Sequence, residues 1–169
     1  MKDAKNHEMV RVNHAGEFGA TRIYAGQLFV LGEDKTIEHM AKQEKEHLDA
    51  FQKMIVERRV RPSLLQPIWY IGGFAMGALT ALMGRNIAHA CTSAVETVID
   101  RHYRDQLDNL ECSDDDELKD LITKCHIDEC DHQNTANVEA GFNLAEEYPL
   151  VTSMILKITE TAIKIAKKI

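Results

Sequence analysis

Two short segments carry the most distinctive chemistry of the chain: Glu44-Lys45-Glu46-His47 and Glu129-Cys130-Asp131-His132. Each reads Glu-x-x-His, a spacing that puts a carboxylate and an imidazole one turn apart on one helix face, where together they can grip a metal ion. In a chain this rich in Glu and His, roughly one such pair arises by chance, commonly as a solvated pair on a helix surface. Here both pairs fall on apolar stripes, while Lys42, Lys45, Glu46 and Asp131 fall elsewhere. Glu17 and Glu96 stand alone on further stripes of apolar or small residues that lack Lys and Arg, where an unpaired charge is very costly to bury. The order along the chain is Glu, Glu-x-x-His, a hydrophobic excursion, then Glu and Glu-x-x-His again, an internal repeat of function. A bundle in which two helices each give a Glu and two give Glu-x-x-His is the arrangement of di-iron and di-manganese carboxylate proteins. Four carboxylates balance two divalent cations, and carboxylate with imidazole suits iron or manganese rather than a thiolate-loving metal. The spacing therefore predicts six metal ligands: Glu17, Glu44, His47, Glu96, Glu129 and His132.

Other residues could support that centre. Tyr103 lies two turns after Glu96, placed either to orient substrate and pass a proton or electron, or to serve as a hydrogen-bonded core tyrosine. Asp100, one turn after Glu96, and Asp128, just before Glu129, are candidates to orient the imidazoles of His47 or His132, with the pairing open. His14 precedes Glu17 by one turn, and a capping or surface role is favoured over support of the metals. His89 faces solvent or lipid headgroups on this reading, and His7, His39 and His126 are ordinary polar positions.

The elements that must position these groups are helices. A first apolar-periodic stretch runs from about Glu8 to Leu31 with Glu17, Ala20, Tyr24, Leu28 and Leu31 on one face, ended by Gly32. Asp34 caps a second helix to about Val60, stopped by Arg61-Pro62, with Ile37, Met40, Ala41, Glu44, His47, Phe51 and Met54 inward. The charge-free run Ile68 to Gly84 is short against the roughly 20 apolar residues of a bilayer span, so it reads as a buried core helix or a segment dipping into one leaflet, with Trp69 and Phe74 as its membrane contacts. A fourth helix spans about Arg85 to Leu110. Ser113-Asp114-Asp115-Asp116-Glu117 opens a fifth, with an Asp114 to Glu117 capping box and an inner face of Leu118, Leu121, Ile122, Cys125, Glu129, His132 and Ala136. Tyr148-Pro149 opens a last, amphipathic helix whose apolar stripe is Leu150, Met154, Ile155, Ile158, Ala162, Ile165 and Ile169.

The totals agree with one all-α domain over residues 1–169. That length can bury an apolar core unaided, and only three prolines interrupt it. A net charge of −7 argues against a nucleic-acid partner. Cys91, Cys112, Cys125 and Cys130 form no CxxC pair, which fits free thiols in a reducing compartment.

Beyond the ligands, longer segments are distinctive: Arg11-Val12-Asn13-His14-Ala15-Gly16-Glu17-Phe18-Gly19-Ala20, Ile23-Tyr24-Ala25-Gly26-Gln27, Gln43-Glu44-Lys45-Glu46-His47-Leu48, Ala90-Cys91-Thr92-Ser93-Ala94-Val95-Glu96, His102-Tyr103 and Asp128-Glu129-Cys130-Asp131-His132. Across most of its length the chain resembles the demethoxyubiquinone hydroxylase (monooxygenase) family of ubiquinone biosynthesis, ferritin-like di-iron carboxylate proteins. The resemblance implies a ferritin-like four-helix bundle with an additional hydrophobic helix and a C-terminal amphipathic helix, and iron at the same six ligands. It further implies a polyprenylated quinone substrate lacking one ring oxygen, hydroxylated with one atom of O2 while the other leaves as water. NADH is the implied electron source, although no Gly-rich dinucleotide fingerprint is present. Asn13, where the family often has Asp, and Ile99-Asp100-Arg101 depart from the family pattern. A polyprenyl tail requires collection from a membrane or from a lipid-binding partner protein, so peripheral membrane attachment is expected. No basic presequence precedes Glu8, which suggests the cytoplasmic face of a bacterial membrane, or the mitochondrial inner membrane for a processed eukaryotic form. The rival readings are a ferritin-like ferroxidase or iron-handling protein with the same ligands, and a helical adaptor whose inward glutamates join buried salt bridges.

Overall fold

The computed structural model describes residues 2–111, 114–140 and 147–168, so Cys112, Ser113 and Ile169 lie outside the described residues. These residues form α1 (Lys2–Leu31), α2 (Lys35–Glu57), α3 (Gln66–Leu82), α4 (Arg85–Leu110), α5 (Asp116–Ala140) and α6 (Pro149–Ala166), with no strand among them. Helix α1 packs on α2 and α4 on α5, and the two hairpins face each other as a four-helix bundle. Helix α3 lies against α1, and α6 against α4. This is the all-α, ferritin-like arrangement expected, with the two extra helices on the outside.

Local chemistry sets the boundaries. Gly32 takes φ +73° and donates its N–H to Leu28 O at 2.9 Å, closing α1. The Asp34 carboxylate accepts the N–H groups of Thr36 and Ile37 at 3.1 and 3.2 Å, as a cap should. Helix α2 ends at Glu57, three residues before the expected Val60. Arg59 turns to φ +52° so that the Val60 N–H reaches Ile55 O at 2.9 Å, and the buried Val60 side chain joins the core cluster of Met54 and Ile55. That six-to-one closure with its hydrophobic contact is what stops the helix, ahead of Pro62. Helix α5 begins one residue later than its expected box: Asp115, not Asp114, accepts the Leu118 N–H at 3.2 Å. Arg58 explains the shift, because its guanidinium holds both Asp115 oxygens and so ties the end of α2 to the start of α5. At the opposite end Arg85 donates to Asp34 at 2.6 Å and to Glu139 at 3.0 Å, joining the start of α4 to α2 and α5.

The inner faces of α2 and α5 follow their periodicity, with Ile37, Met40, Phe51 and Met54 buried on α2 and Leu118, Ile122, Cys125 and Ala136 on α5, while Ala41 and Leu121 are only partly buried at the edges of those faces. One apolar cluster holds Val10, Phe51, Leu110, Leu118 and Ile122, and another holds Tyr24, Ile37 and Met40. Burial of one large apolar side chain contributes about 1.5–3 kcal/mol. The polar groups described below lie on the same helices, between these two ends.

The outer helices bury less of their apolar surface than core helices would. Helix α3 is not a buried core helix: only Gly73, Gly77, Thr80 and Ala81 are buried, while Ile71 and Leu79 are 69% and 62% exposed. Its buried edge approaches α1 so closely that a Cβ on Gly77 would collide with the backbone carbonyl of Ile23. Trp69 and Phe74 are turned toward the protein. The Trp69 indole N–H donates to Ser63 Oγ at 3.3 Å, and Phe74 packs on Phe29 at 5.6 Å between centroids. Helix α6 buries Thr152, Ile155, Thr159 and Ala166, so the stripe of Leu150, Met154 and Ile158 is left exposed, Leu150 at 84%. No helix of the described residues is long and apolar enough to cross a membrane.

Candidate metal centre

Glu17 on α1, Glu44 and His47 on α2, Glu96 on α4, and Glu129 and His132 on α5 all turn inward, and each is at most 4% exposed. They meet in two overlapping sets. Glu17, Glu44, His47 and Glu129 offer ligand atoms within 4.8 Å of one another, and so do Glu44, Glu96, Glu129 and His132. Glu44 and Glu129 belong to both sets, while Glu17 with His47 and Glu96 with His132 belong to one each. Cys125 also comes within that distance of Glu17 and His47.

The groups leave one another short of partners. His47 Nδ1 lies 3.3 Å from Glu129 Oε1 and 3.6 Å from Glu17 Oε2, and Glu44 Oε1 lies 3.2 Å from His132 Nδ1. Despite those distances, His47 Nδ1 and both Glu44 oxygens make no hydrogen bond of acceptable geometry. Buried polar atoms left this way cost about 1–3 kcal/mol each. Two divalent cations between these donors would satisfy them, so the residues fit a pair of iron or manganese ions.

With protons as the only cations, the cluster divides its charge. Burial, reinforced by the Glu129 charge, pushes Glu44 and Glu96 well above the ordinary carboxylate range. Burial opposes charge on Glu129 too, but the His132 and His47 rings outweigh it and hold that carboxyl at about 2. Burial likewise works against both imidazolium forms. The facing carboxylates overcome it, Glu129 and Glu17 raising His47 to about 11 and Glu129 and Glu44 raising His132 to about 10.

A ring of outer contacts fixes the six groups, and it is symmetric. His47 Nε2 lies 2.8 Å from Asp128 Oδ2, and His132 Nε2 lies 3.2 Å from Gln43 Oε1. Each supporting residue immediately precedes the Glu of the opposite Glu-x-x-His. The Tyr103 hydroxyl on α4 donates to Glu17 on α1, while the Tyr24 hydroxyl on α1 donates to Glu96 on α4 at 3.4 Å. Burial and the adjacent carboxylates push both phenols well above their usual range, so they remain donors. Tyr24 and Gln43 were missed as supports, although each follows from the internal repeat: Tyr24 stands to Glu17 as Tyr103 stands to Glu96, and Gln43 to Glu44 as Asp128 to Glu129.

Other expectations change. Asp100 touches neither His47 nor His132; it accepts from His126 at 2.8 Å and from Arg104 at 3.0 Å. His14 is neither a cap nor a surface group, because it is buried with Nε2 2.8 Å from Gln52 Oε1. His89 is buried rather than facing solvent or headgroups. Asn13, the departure from the family pattern, pairs with Gln106 at 2.8 Å in both directions as a buried amide pair. Cys91, Cys125 and Cys130 are free thiols, as expected.

A cavity of about 940 Å³ leads to the cluster from the side of α3 and α6. Glu17, Glu44, Glu96 and Glu129 line its inner part, apolar residues such as Ile23, Met76, Val95 and Ile155 line its walls, and the exposed Ile68, Leu79 and Leu150 stand where it meets the surface.

Comparison with known proteins agrees with this architecture. Residues 4–166 match the family described as ubiquinone biosynthesis protein COQ7. The chain is 46% identical over 166 residues to the NADPH-dependent 3-demethoxyubiquinone 3-hydroxylase, mitochondrial, of Dictyostelium discoideum, covering 95% of this chain and 76% of that one. It is 42% identical over 166 residues to the 3-demethoxyubiquinol 3-hydroxylase of Rhodospirillum rubrum, with the same coverage. It is also 42% identical over 180 residues to the 5-demethoxyubiquinone hydroxylase, mitochondrial, of Saccharomyces cerevisiae, covering 95% and 77% of the two chains. With residues 4–166 matched and relatives more than 40% identical over 95% of its length, the chain belongs to the ubiquinone biosynthesis protein COQ7 family.

Proposed function

We propose that this protein is a di-iron monooxygenase that hydroxylates the ring of a demethoxyubiquinone or demethoxyubiquinol, one oxygen atom of O2 entering the ring and the other leaving as water. The observation that carries the reading is the apolar cavity, which joins an exposed apolar mouth to four buried carboxylates. A ferroxidase handles hydrated Fe(II) and has no use for such a passage, and an adaptor has no reason to gather six metal-ligating groups with orphaned atoms.

Glu17 and His47 would hold one iron, Glu96 and His132 the other, with Glu44 and Glu129 between them. Iron bound there supplies the two-electron reduction of O2 that the hydroxylation needs. The chain does the rest. Asp128 Oδ2 and Gln43 Oε1 would accept hydrogen bonds from Nε2–H of His47 and His132, so each ring presents Nδ1 inward. Tyr103 and Tyr24 hold Glu17 and Glu96 by their hydroxyls. Tyr103 is absent from the cavity wall, so its role is to position Glu17 and keep a proton beside it, rather than to touch substrate. The apolar walls of Ile23, Met76 and Val95 admit a quinone ring and exclude water, while the tail leaves between α3 and α6.

The exposed apolar faces of α3 and α6 flank that mouth and would rest on a membrane holding the substrate, or against a lipid-presenting partner protein. Electrons would come from a nicotinamide. The Dictyostelium relative is named for NADPH, where the resemblance alone had suggested NADH.

The test is Fe(II) loading without oxygen, then addition of O2, a reductant and a demethoxyquinone analogue, with the product examined by mass spectrometry. One added oxygen per ring is expected. Iron oxidation with the quinone returned unchanged would move the assignment to the ferroxidase.

A further inference from the structure

Outside the buried centre, three ligand-type side chains converge on the outer side of the α4–α5 pair. Asp100 stands on α4, and His126 and Cys130 stand one turn apart on α5. Asp100 Oδ1 lies 2.8 Å from His126 Nε2 and 3.5 Å from Cys130 Sγ, and Sγ lies 3.7 Å from that same Nε2. We propose that Asp100, His126 and Cys130 form a separate site, open to solvent, for one divalent cation of the Zn2+ class, with water as its fourth ligand.

The distances support a cation. Zinc bonds of about 2.05 Å to nitrogen, 2.1 Å to oxygen and 2.3 Å to sulfur in a tetrahedron put the ligand atoms about 3.4 Å (N to O), 3.6 Å (S to O) and 3.6 Å (S to N) apart. Two of the three separations already agree within about 0.1 Å, and the third needs only the His126–Asp100 hydrogen bond to open by a fraction of an ångström. The same geometry argues against a thiol–imidazole–carboxylate nucleophile. There the ring would use one nitrogen for sulfur and the other for the carboxylate, but here Nε2 faces both. One thiolate, one imidazole and one carboxylate with an open position is a donor set of the zinc kind, unlike the carboxylate-rich buried centre. All three groups are half-buried, so helix packing holds them while water and ions still reach them. Arg104 also donates to Asp100 Oδ1, but its side chain is 65% exposed and free to swing away.

On binding, the cation takes the place of the Cys130 thiol proton, which goes to solvent. Its effect would be to clamp α4 to α5 immediately outside Glu96 and Glu129. Nothing in this site requires that the buried centre hold iron or that the protein hydroxylate a quinone.

The probe is Co2+, titrated without oxygen into the full chain, because a cobalt–thiolate bond gives a near-ultraviolet charge-transfer band that carboxylates and imidazoles cannot. Because the buried centre can take up cobalt without giving this band, the expectation is a band whose amplitude at saturation corresponds to one cobalt–thiolate bond per chain, retained in C125S, absent in C130S, and needing about tenfold or more Co2+ in D100N. The C125S control matters because Cys125 lies beside Glu17 and His47. As a check independent of any variant, Zn2+ should protect Cys130 of the unaltered protein from iodoacetamide, read by peptide mass. No cobalt–sulfur band, a band that survives C130S or vanishes with C125S, or unprotected alkylation would overturn the site.

Discussion

The hydroxyl of Tyr103, on α4, donates its hydrogen bond to Glu17, which belongs to α1 on the far side of the cluster. Its counterpart Tyr24 does the reverse, from α1 to Glu96 on α4, over 3.4 Å. Each tyrosine thus braces the glutamate of the opposite half. Outer hydrogen bonds of this kind typically govern metal affinity or activity by about 10–100-fold. Tyr103→Phe should lower kcat by about tenfold or more, with KM for quinone nearly unchanged because the ring does not line the cavity. Tyr24→Phe, losing the longer contact, should cost less. Steady-state kinetics beside iron stoichiometry decide this, and a KM effect without a kcat effect in Tyr103→Phe would assign the tyrosine to substrate.

Asp128→Asn should weaken metal binding more than Gln43→Ala. The Asp128 carboxylate is charged and 2.8 Å from His47 Nε2, whereas Gln43 is neutral and 3.2 Å from His132 Nε2. A loss of about 10–100-fold in affinity is expected for Asp128→Asn, at one of two ions only. Calorimetric titration with Mn2+ should resolve one weakened site and one retained.

Stripped of metal by a chelator, the protein should lose stability as pH rises. His47 and His132 titrate at about 11 and about 10 in the fold against an ordinary 6.5. Their contribution is complete below that ordinary value and is lost as pH climbs through about 10 to 11. Glu44 and Glu96, also raised, act in the same direction, since folding favours their neutral forms. Glu129, held at about 2, contributes above the usual carboxylate range and loses that only in strong acid. Between pH 7 and 10 the first four groups decide the sign. The Tm of the chelated protein should fall across that window and that of the Mn2+-loaded protein should fall less, because cations replace the protons. Parallel curves would contradict the assignment of these groups to one metal cluster.

Much of this site was legible because two periodicities coincided. The Glu-x-x-His spacing and the helical stripes around it named all six groups, and a structural role for Glu17 and Glu96 followed from the cost of burying an acid without a base. What escaped has a common cause. Asp100 and Asp128 each lie within one turn of a ligand in sequence, and only the crossing of α2 and α5 makes Asp128 the partner of His47. The outer helices kept two readings each because hydrophobicity marks a face without saying whether protein or something else covers it. Helix α3 spends its glycines on a close approach to α1 and turns its large residues outward. The one-residue shift at the start of α5 likewise depended on Arg58, a residue 57 positions away from the cap it engages.

That outward face leads to a further expectation. Ile71→Asp with Leu79→Asp should reduce binding to liposomes by about tenfold or more, since each removes a large apolar side chain from the bilayer and adds a charge. Neither residue is buried, so the Tm should change little. Co-sedimentation with quinone-containing vesicles measures the loss, and full retention of binding would remove α3 from the membrane contact.

Gly77→Leu should instead act on the fold. Its side chain would drive into the carbonyl of Ile23 and push α3 away from α1. A destabilisation of about 1–3 kcal/mol is expected, with a lowered Tm measured by circular dichroism.

The supports of His47 and His132 are related by the repeat but differ in kind, an anion on one side and an amide on the other. Two irons held here would therefore be inequivalent. An ion held by His47 would have a carboxylate behind its ring and an ion held by His132 an amide, so the two positions should differ in their affinity for a divalent cation.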